Sequence, residues 1–339
     1  KSKQISLLMH LYTKNLIIRN ISTIKKFTLE KLLIQRETSV IIALALLCII
    51  LTVLTPTFRD PYNLLNVARQ VSLYAIIAVG ETFVITSGGI DLSVGSVLAL
   101  AGVITTLMSI NGINPWISIP AGLLVGIGCG YTNGFLISKA RINPFIVTLG
   151  MLNIARGIVL VITKGYPIPI YKGPIIYLGQ GYIGSIPVPV IFMLIVGVTG
   201  IILFRDTILG NYVKALGSNE LAAKAMGINV EKIKVITYTL AGFLSGLAGI
   251  ILAGRLSAGQ ANAGIGWELD VIAAVIIGGT SLMGGEGSVL GTLVGATLLG
   301  VIRNGLVLLG VSMYWQTVVV GLILVGGVAI NRFTKAQSE

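Results

Sequence analysis

The feature that most constrains this chain is a set of long stretches without a charged side chain. Residues 38–58, 92–138, 173–204, 235–254 and 304–331 contain no Asp, Glu, Lys or Arg. An α-helix needs roughly 17–25 apolar residues to cross the hydrocarbon of a bilayer. Each stretch is therefore long enough for a span, and 92–138 holds two around the turn at Asn111-Gly112-Ile113-Asn114-Pro115. The apolar character is continuous, whereas a membrane barrel would alternate in polarity over strands of about ten residues. Only 11% of the 339 residues are charged, against about 25% in soluble domains. A soluble fold is excluded, and the expected class is all-α: a polytopic membrane protein whose backbone polar groups are satisfied within helices.

Apolar runs read against breakers and charges place about ten transmembrane helices, near 39–55, 71–87, 92–110, 116–138, 144–163, 188–204, 233–254, 268–283, 289–310 and 313–331. The expected organisation is a basic cytoplasmic N-terminal segment at 1–37, then a transmembrane domain at 38–333 with a cytoplasmic loop at 205–234. Charge placement sets the orientation. With both termini cytoplasmic, 17 of the 24 Lys and Arg fall on the inner side, including the eight of the leader, as the positive-inside rule requires. The formal net charge of +12 is thus a topology signal, and no aromatic-rich or zinc-finger-like pattern accompanies it to suggest nucleic acid. The leader alternates Lys3, Lys14, Arg19, Lys25 and Lys26 with Ile5, Leu8, Tyr12 and Leu16. It reads equally as a basic amphipathic stretch on an anionic leaflet or as a solvated leader, and it lacks the pattern of a cleavable signal peptide.

Two segments between spans stand out. Residues 164–187 are rich in Pro, Gly and Tyr, which suits an extended external loop with turns. Residues 205–234 carry helix signals. Gly217-Ser218-Asn219 offers an N-cap, Glu220 places negative charge in the first turn, residues 221–226 are helix formers, and Gly227 is placed to stop the helix. Asn229 then caps the next span. A short cytoplasmic helix of about eight residues is expected. Glycines also recur every fourth residue, at Gly122, Gly126, Gly130 and Gly134 and again at Gly287, Gly291 and Gly295; such rows let helix backbones approach closely, within one chain or between copies. A faint internal echo, Gly95-Ser96-Val97-Leu98 against Gly287-Ser288-Val289-Leu290, is short enough to be chance.

Few residues can carry chemistry. His10 is the only histidine, and Cys48 and Cys129 lie within apolar spans where they form no disulfide framework. No phosphate loop, HExxH, CxxC or nucleophile elbow with a partner histidine occurs, so no enzyme activity and no cofactor or metal site is expected on this chain. Ionisable residues inside spans are costly and mark function or internal pairing. Glu81, Asp91, Arg156 and Arg303 meet that description, as do Glu268 and Asp270 at the start of a span. Asp91 after Gly88-Gly89-Ile90 suggests a re-entrant turn and helix cap. Glu81, Arg156 and Asn304 are open to two readings, lining a polar pathway or bracing the bundle.

Three motif blocks carry a family resemblance. They are Thr86-Ser87-Gly88-Gly89-Ile90-Asp91-Leu92-Ser93-Val94-Gly95-Ser96, then Ala215-Leu216-Gly217-Ser218-Asn219-Glu220-Leu221-Ala222-Ala223 with Gly227-Ile228-Asn229-Val230, then 266–275 with Gly278-Gly279-Thr280-Ser281-Leu282. In this order, over about residues 39–331, the chain resembles the ribose/xylose/arabinose/galactoside family of ABC importer permeases. Arg255-Leu256-Ser257 with Gln260 ahead of 266–270 is most similar to the D-ribose-carrying members. The resemblance implies a homodimer in the bacterial inner membrane, with ATP and Mg held by separate cytoplasmic ATPase subunits and a periplasmic sugar-binding protein delivering substrate. It also implies that sugar recognition resides in that binding protein. The family's coupling region matches 216–228, so Leu216, Gly217, Ser218, Asn219, Glu220, Leu221, Ala222, Ala223, Met226 and Gly227 are the expected contacts to the ATPase. Residues able to line a translocation pathway are Asn66, Gln70, Tyr74, Glu81, Asp91, Arg156, Trp267, Asn304, Tyr314 and Gln316. The basic leader is longer than the family implies. Alternatives are a permease for another pentose, a galactoside or a furanosyl signalling molecule, or a stand-alone ion-coupled transporter using Glu81 and Asp91.

Overall fold

Three helices begin in the same way, for a reason visible in the sequence. In each, an Asx side chain accepts a hydrogen bond from a backbone N–H of the first turn, and proline follows it at the first helical position, where its missing N–H costs nothing. Asp60 accepts from Tyr62 N (2.8 Å), Asn114 from Trp116 N (2.9 Å) and Asn143 from Phe145 N (2.9 Å). The computed structural model describes residues 36–336, and the basic segment at 1–35 with His10 lies outside the described residues. Its helices are α1 (Arg36–Leu54), α2 (Pro61–Thr86), α3 (Val94–Ile110), α4 (Pro115–Ser138), α5 (Pro144–Thr163), α6 (Pro174–Gln180), α7 (Val188–Arg205), α8 (Ile208–Ser218), α9 (Glu220–Ala225), α10 (Val230–Leu256), α11 (Trp267–Ile277), α12 (Val289–Leu308) and α13 (Met313–Ala336). Two strand pairs of two residues each, β1 (Ile168–Pro169) with β4 (Ala258–Gly259) and β2 (Tyr182–Ile183) with β3 (Ile186–Pro187), are the sheet among the described residues.

Every expected span coincides with a helix, and among the described residues seven helices are long and apolar enough by themselves to cross a membrane, against about ten expected: α1, α2, α4, α5, α7, α10 and α12. The difference has a local cause at α3 and α11. Both follow glycine-rich or irregular backbone, and they reach only 17 and 11 residues. The segment 164–187 is not wholly extended, because the seven-residue α6 lies within it. The loop at 205–234 holds two helices rather than one, so Leu216, Gly217 and Ser218 belong to α8 and the helix after them has six residues, Glu220–Ala225.

The core is built around α2 and α10. Every residue of α2 from Val71 to Thr86 is buried, as expected for a helix apolar on all sides. The long peripheral helices instead expose aliphatic side chains, with Val53 of α1 at 78% and Val161 of α5 at 79% accessible. Helix α4 approaches α10 along the predicted glycine row: a side chain at Gly126 would meet Gly242 and Gly246, one at Gly130 would meet Tyr238 and Thr239, and one at Gly134 would meet Val235. The row Gly291–Gly295 packs in the same way against Gly278 and Ala274 at α11. Both rows are thus used for packing within the chain. Gly128, on the same helix as Gly126, faces open space. Gly126→Leu is therefore expected to lower stability by about 1–3 kcal/mol through overpacking, while Gly128→Leu leaves it unchanged. Thermal unfolding of the purified protein in detergent checks the pair, and equal melting temperatures for both variants would contradict the packing.

Candidate functional site

At one end of the bundle the chain leaves α7 and forms two short helices before entering α10. Helix α9 has too few residues to be stable alone, and three contacts hold it. Its N-cap Asn219 accepts from Ala222 N (2.9 Å), Lys234 of α10 donates to both carboxylate oxygens of Glu220 at 2.8 Å, and Ala223 is fully buried. Gly227 ends the helix with φ +83°, a conformation that favours glycine, and Asn229 caps α10 by accepting from Lys232 N (3.0 Å). The outward face presents Leu221, 81% accessible, and Met226, 70% accessible. Beside it is a cavity of about 870 Å³ between α9 and the α4–α5 turn, lined by Arg141, Asn143, Leu221 and Lys224 among others. Two bulky apolar side chains are thus exposed on a capped helix next to a cleft.

This segment is joined to two turns in the core. Gly217 packs so closely on Thr86 O and Gly285 N that no side chain would fit, and Gly284 lies against Gly217 and Gly88. Gly285 N donates to Thr86 O (2.9 Å). Gly88, Gly217, Gly284 and Gly285 thus bring the end of α2, the end of α8 and the α11–α12 turn together.

The ionisable residues picked from the sequence fall into separate groups. Glu81 is fully buried and accepts from Asp91 N (3.1 Å). Asp91 accepts from Ser93 N (2.8 Å) and Ser93 Oγ (2.6 Å), and Asn133 Nδ2 donates to Ser93 Oγ (3.0 Å). Asp91 thus forms an Asx turn, while Ser93 occupies the N-cap position of α3. Arg156 Nη1 donates to Ala261 O (2.5 Å) and Ala263 O (2.8 Å). Asn304 exchanges hydrogen bonds with Asn63 at 2.8 and 3.1 Å, a brace between α12 and α2. Gln316 Nε2 donates to Val311 O (3.0 Å) and is buried, while Tyr314 is 85% accessible.

Nearer the opposite end, Tyr74 and Trp267 stack with centroids 4.3 Å apart and planes tilted by 34°. Gln70 lies beside the Tyr74 hydroxyl, and Asn66 beside Arg69. Here the structure adds what the sequence pattern did not pair. Arg303 Nη2 reaches both oxygens of Asp270, at 2.6 and 2.7 Å, within electrostatic reach of Tyr74. Their side chains are 24% and 8% accessible. Both had been noted as intramembrane charges, but their 33-residue separation carries no pairing signal. Asn133 and Gln180 were missed altogether; Gln180 Nε2 clasps the end of α10 through Gly254 O (3.1 Å), Arg255 O (3.1 Å) and Ser257 Oγ (2.8 Å).

Comparison with known proteins bears on this arrangement. The family described as branched-chain amino acid transport system / permease component matches residues 63–328. The ribose import permease protein of Haemophilus influenzae is 43% identical over 311 residues, 91% of this chain and 96% of the relative. That of Bacillus subtilis is 44% identical over 293 residues, 86% of this chain and 91% of its own. The D-allose transport system permease protein of Escherichia coli is 38% identical over 291 residues, 85% and 89% of the two chains. No solved structure matches the chain.

The Asp270–Arg303 pair yields a prediction. Arg303→Met strands a buried carboxylate and is expected to cost stability toward the lower end of about 3–5 kcal/mol. Adding Asp270→Asn should restore most of the loss. A double-mutant cycle on thermal unfolding measures both, and additive effects would show that the pair is not coupled.

Proposed function

The chain belongs to the family of branched-chain amino acid transport system permease components, and we propose that it is the membrane subunit of an ATP-driven, binding-protein-dependent importer for D-ribose. The observation that carries the substrate is the identity of 43–44% to ribose import permeases over most of both chains, above the 38% to the D-allose relative. In this reading two copies of the chain sit in the bacterial inner membrane with both termini cytoplasmic. A periplasmic sugar-binding protein delivers substrate, and partner ATPase subunits hold ATP and Mg. The face of α9, with Leu221 and Met226 outward, receives the ATPase.

The mechanism is alternating access. Closure of the ATPases displaces α9. Through Lys234, and through the glycine junction at Gly217, the displacement reaches α10 and the turns that end α2 and precede α12. The bundle then exchanges an opening toward the binding protein for one toward the cytoplasm.

Labelled D-ribose uptake into proteoliposomes containing the chain, its ATPase and a ribose-binding protein tests the reading. ATP-dependent uptake is expected, and uptake that needs only an ion gradient and no ATPase would overturn it. Leu221→Asp, at an exposed position, is expected to leave membrane insertion and thermal stability intact. It should abolish co-purification of the ATPase and reduce uptake by roughly tenfold or more.

A further inference from the structure

The stretch 257–266 between α10 and α11 is irregular, yet Ala258, Gly259, Ala261 and Gly264 are buried. It runs along α3 into the bundle: Gly259 lies against Thr106 and Val103, and Gly264 against Gly95. The distance from Thr106 to Gly95 along the helix is roughly 16 Å. Backbone carbonyls placed there need donors, and Arg156 supplies them to Ala261 and Ala263. Both bonds come from Nη1 and use its two hydrogens. Among the described residues, Nε and Nη2 have no hydrogen-bond acceptor.

A cavity of about 400 Å³ opens at this point, lined by Arg156, Leu160, Pro167, Gln260, Asn262 and Ile265. Its volume is within the range of small-molecule sites, about 300–1,000 Å³. Among the described residues, the side-chain amides of Gln260 and Asn262 make no hydrogen bond. The cavity therefore holds unused amide donors and acceptors and unused guanidinium N–H groups, opposite three apolar surfaces. That combination is complementary to a neutral polyol ring. Its hydroxyls both donate and accept, and its C–H face is apolar.

We propose that this cavity is a monosaccharide site of the permease, where a pentose released at this end of the bundle is held by Gln260 and Asn262, with Arg156 positioning the 257–266 segment beneath it. The proposal rests on the sugar-importer reading and departs from the expectation that recognition resides wholly in the binding protein. The amides of Gln260 and Asn262 are neutral, and Glu268 lies within electrostatic reach of Arg156, which opposes an anionic ligand such as a lipid phosphate.

The test uses the complete transporter in proteoliposomes, with saturating D-ribose-loaded binding protein. Gln260→Leu combined with Asn262→Leu is expected to lower ribose uptake by roughly tenfold, the effect of losing neutral hydrogen bonds, while ATP hydrolysis stimulated by the binding protein persists. Gln260→Asn alone should recover uptake to within about threefold of wild type, since it retains the amide. As a second readout, Asn262→Cys in a Cys48→Ser, Cys129→Ser background should be labelled by a membrane-impermeant thiol reagent, and ribose-loaded binding protein with ATP should protect it. Wild-type uptake by the double leucine variant would overturn the site while leaving the importer reading intact. So would labelling that responds to anionic lipid content and not to ribose. Absence of ribose uptake by the unaltered transporter would overturn the importer reading itself.

Discussion

The structure depends on one constraint: wherever a helix breaks inside the bundle, the freed backbone groups must find partners in a setting that offers no bulk water. Three of the intramembrane charges, Glu81, Asp91 and Arg156, meet that need. Glu81 accepts the amide of Asp91, and Asp91 accepts the amide of Ser93, so two carboxylates together hold the turn between α2 and α3. The Ile90 carbonyl in the same turn receives the hydroxyls of Tyr238 and Thr148, each at 3.4 Å. Arg156 performs the corresponding task for the carbonyls of 257–266, and Gln180 for the exposed end of α10. Of the two readings open for Glu81, Arg156 and Asn304, the hydrogen bonds show bracing for each, and Arg156 also lines a cavity.

Rigid and adjustable parts are separated by the same logic. Helices α4 and α10 meet through glycines on both sides, with Gly126, Gly130, Gly242 and Gly246 in mutual contact. Backbones that close have many dispersion contacts and few ways to slide. The turns at 87–93 and 278–288 rest instead on a few hydrogen bonds and on glycines with positive φ, at Gly88, Gly279, Gly284 and Gly285. The chain turns there through backbone that glycine adopts without strain.

What was legible in the sequence follows from range. Helix starts at Asn114-Pro115 and Asn143-Pro144, the stop at Gly227 and the glycine rows are local signals, and the structure uses each of them; α2 instead starts at Pro61, ten residues before the span expected from 71, because its first turns are polar. The short α9 lies where its caps predict it but has six residues in place of about eight, and the helix α8 directly before it carries no separate capping signal. Pairings such as Tyr74 with Trp267 or Asp270 with Arg303 join positions whose proximity is decided by how helices pack. No spacing rule encodes that proximity. The course of 257–266 was hidden for the opposite reason: its small residues read as a loop, and only the close approach of Gly264 to Gly95 shows that it enters the bundle.

Helix α10 gives these parts a common mechanical axis. Its 27 residues form a rod of roughly 40 Å. One end is bound to α9 through Lys234 and Glu220, and the other is bound to α6 through Gln180, at the threshold of 257–266. The rod contains no proline, and its Gly242 and Gly246 are the positions where it meets α4, although Gly/Ser pairs such as Ser245-Gly246 are also places where helices bend. A six-residue helix tied to α10 by a two-oxygen ion pair and a buried alanine takes its position from α10. Helix α10, through Gln180, also fixes where the 257–266 segment begins, so the two ends of the bundle share one element.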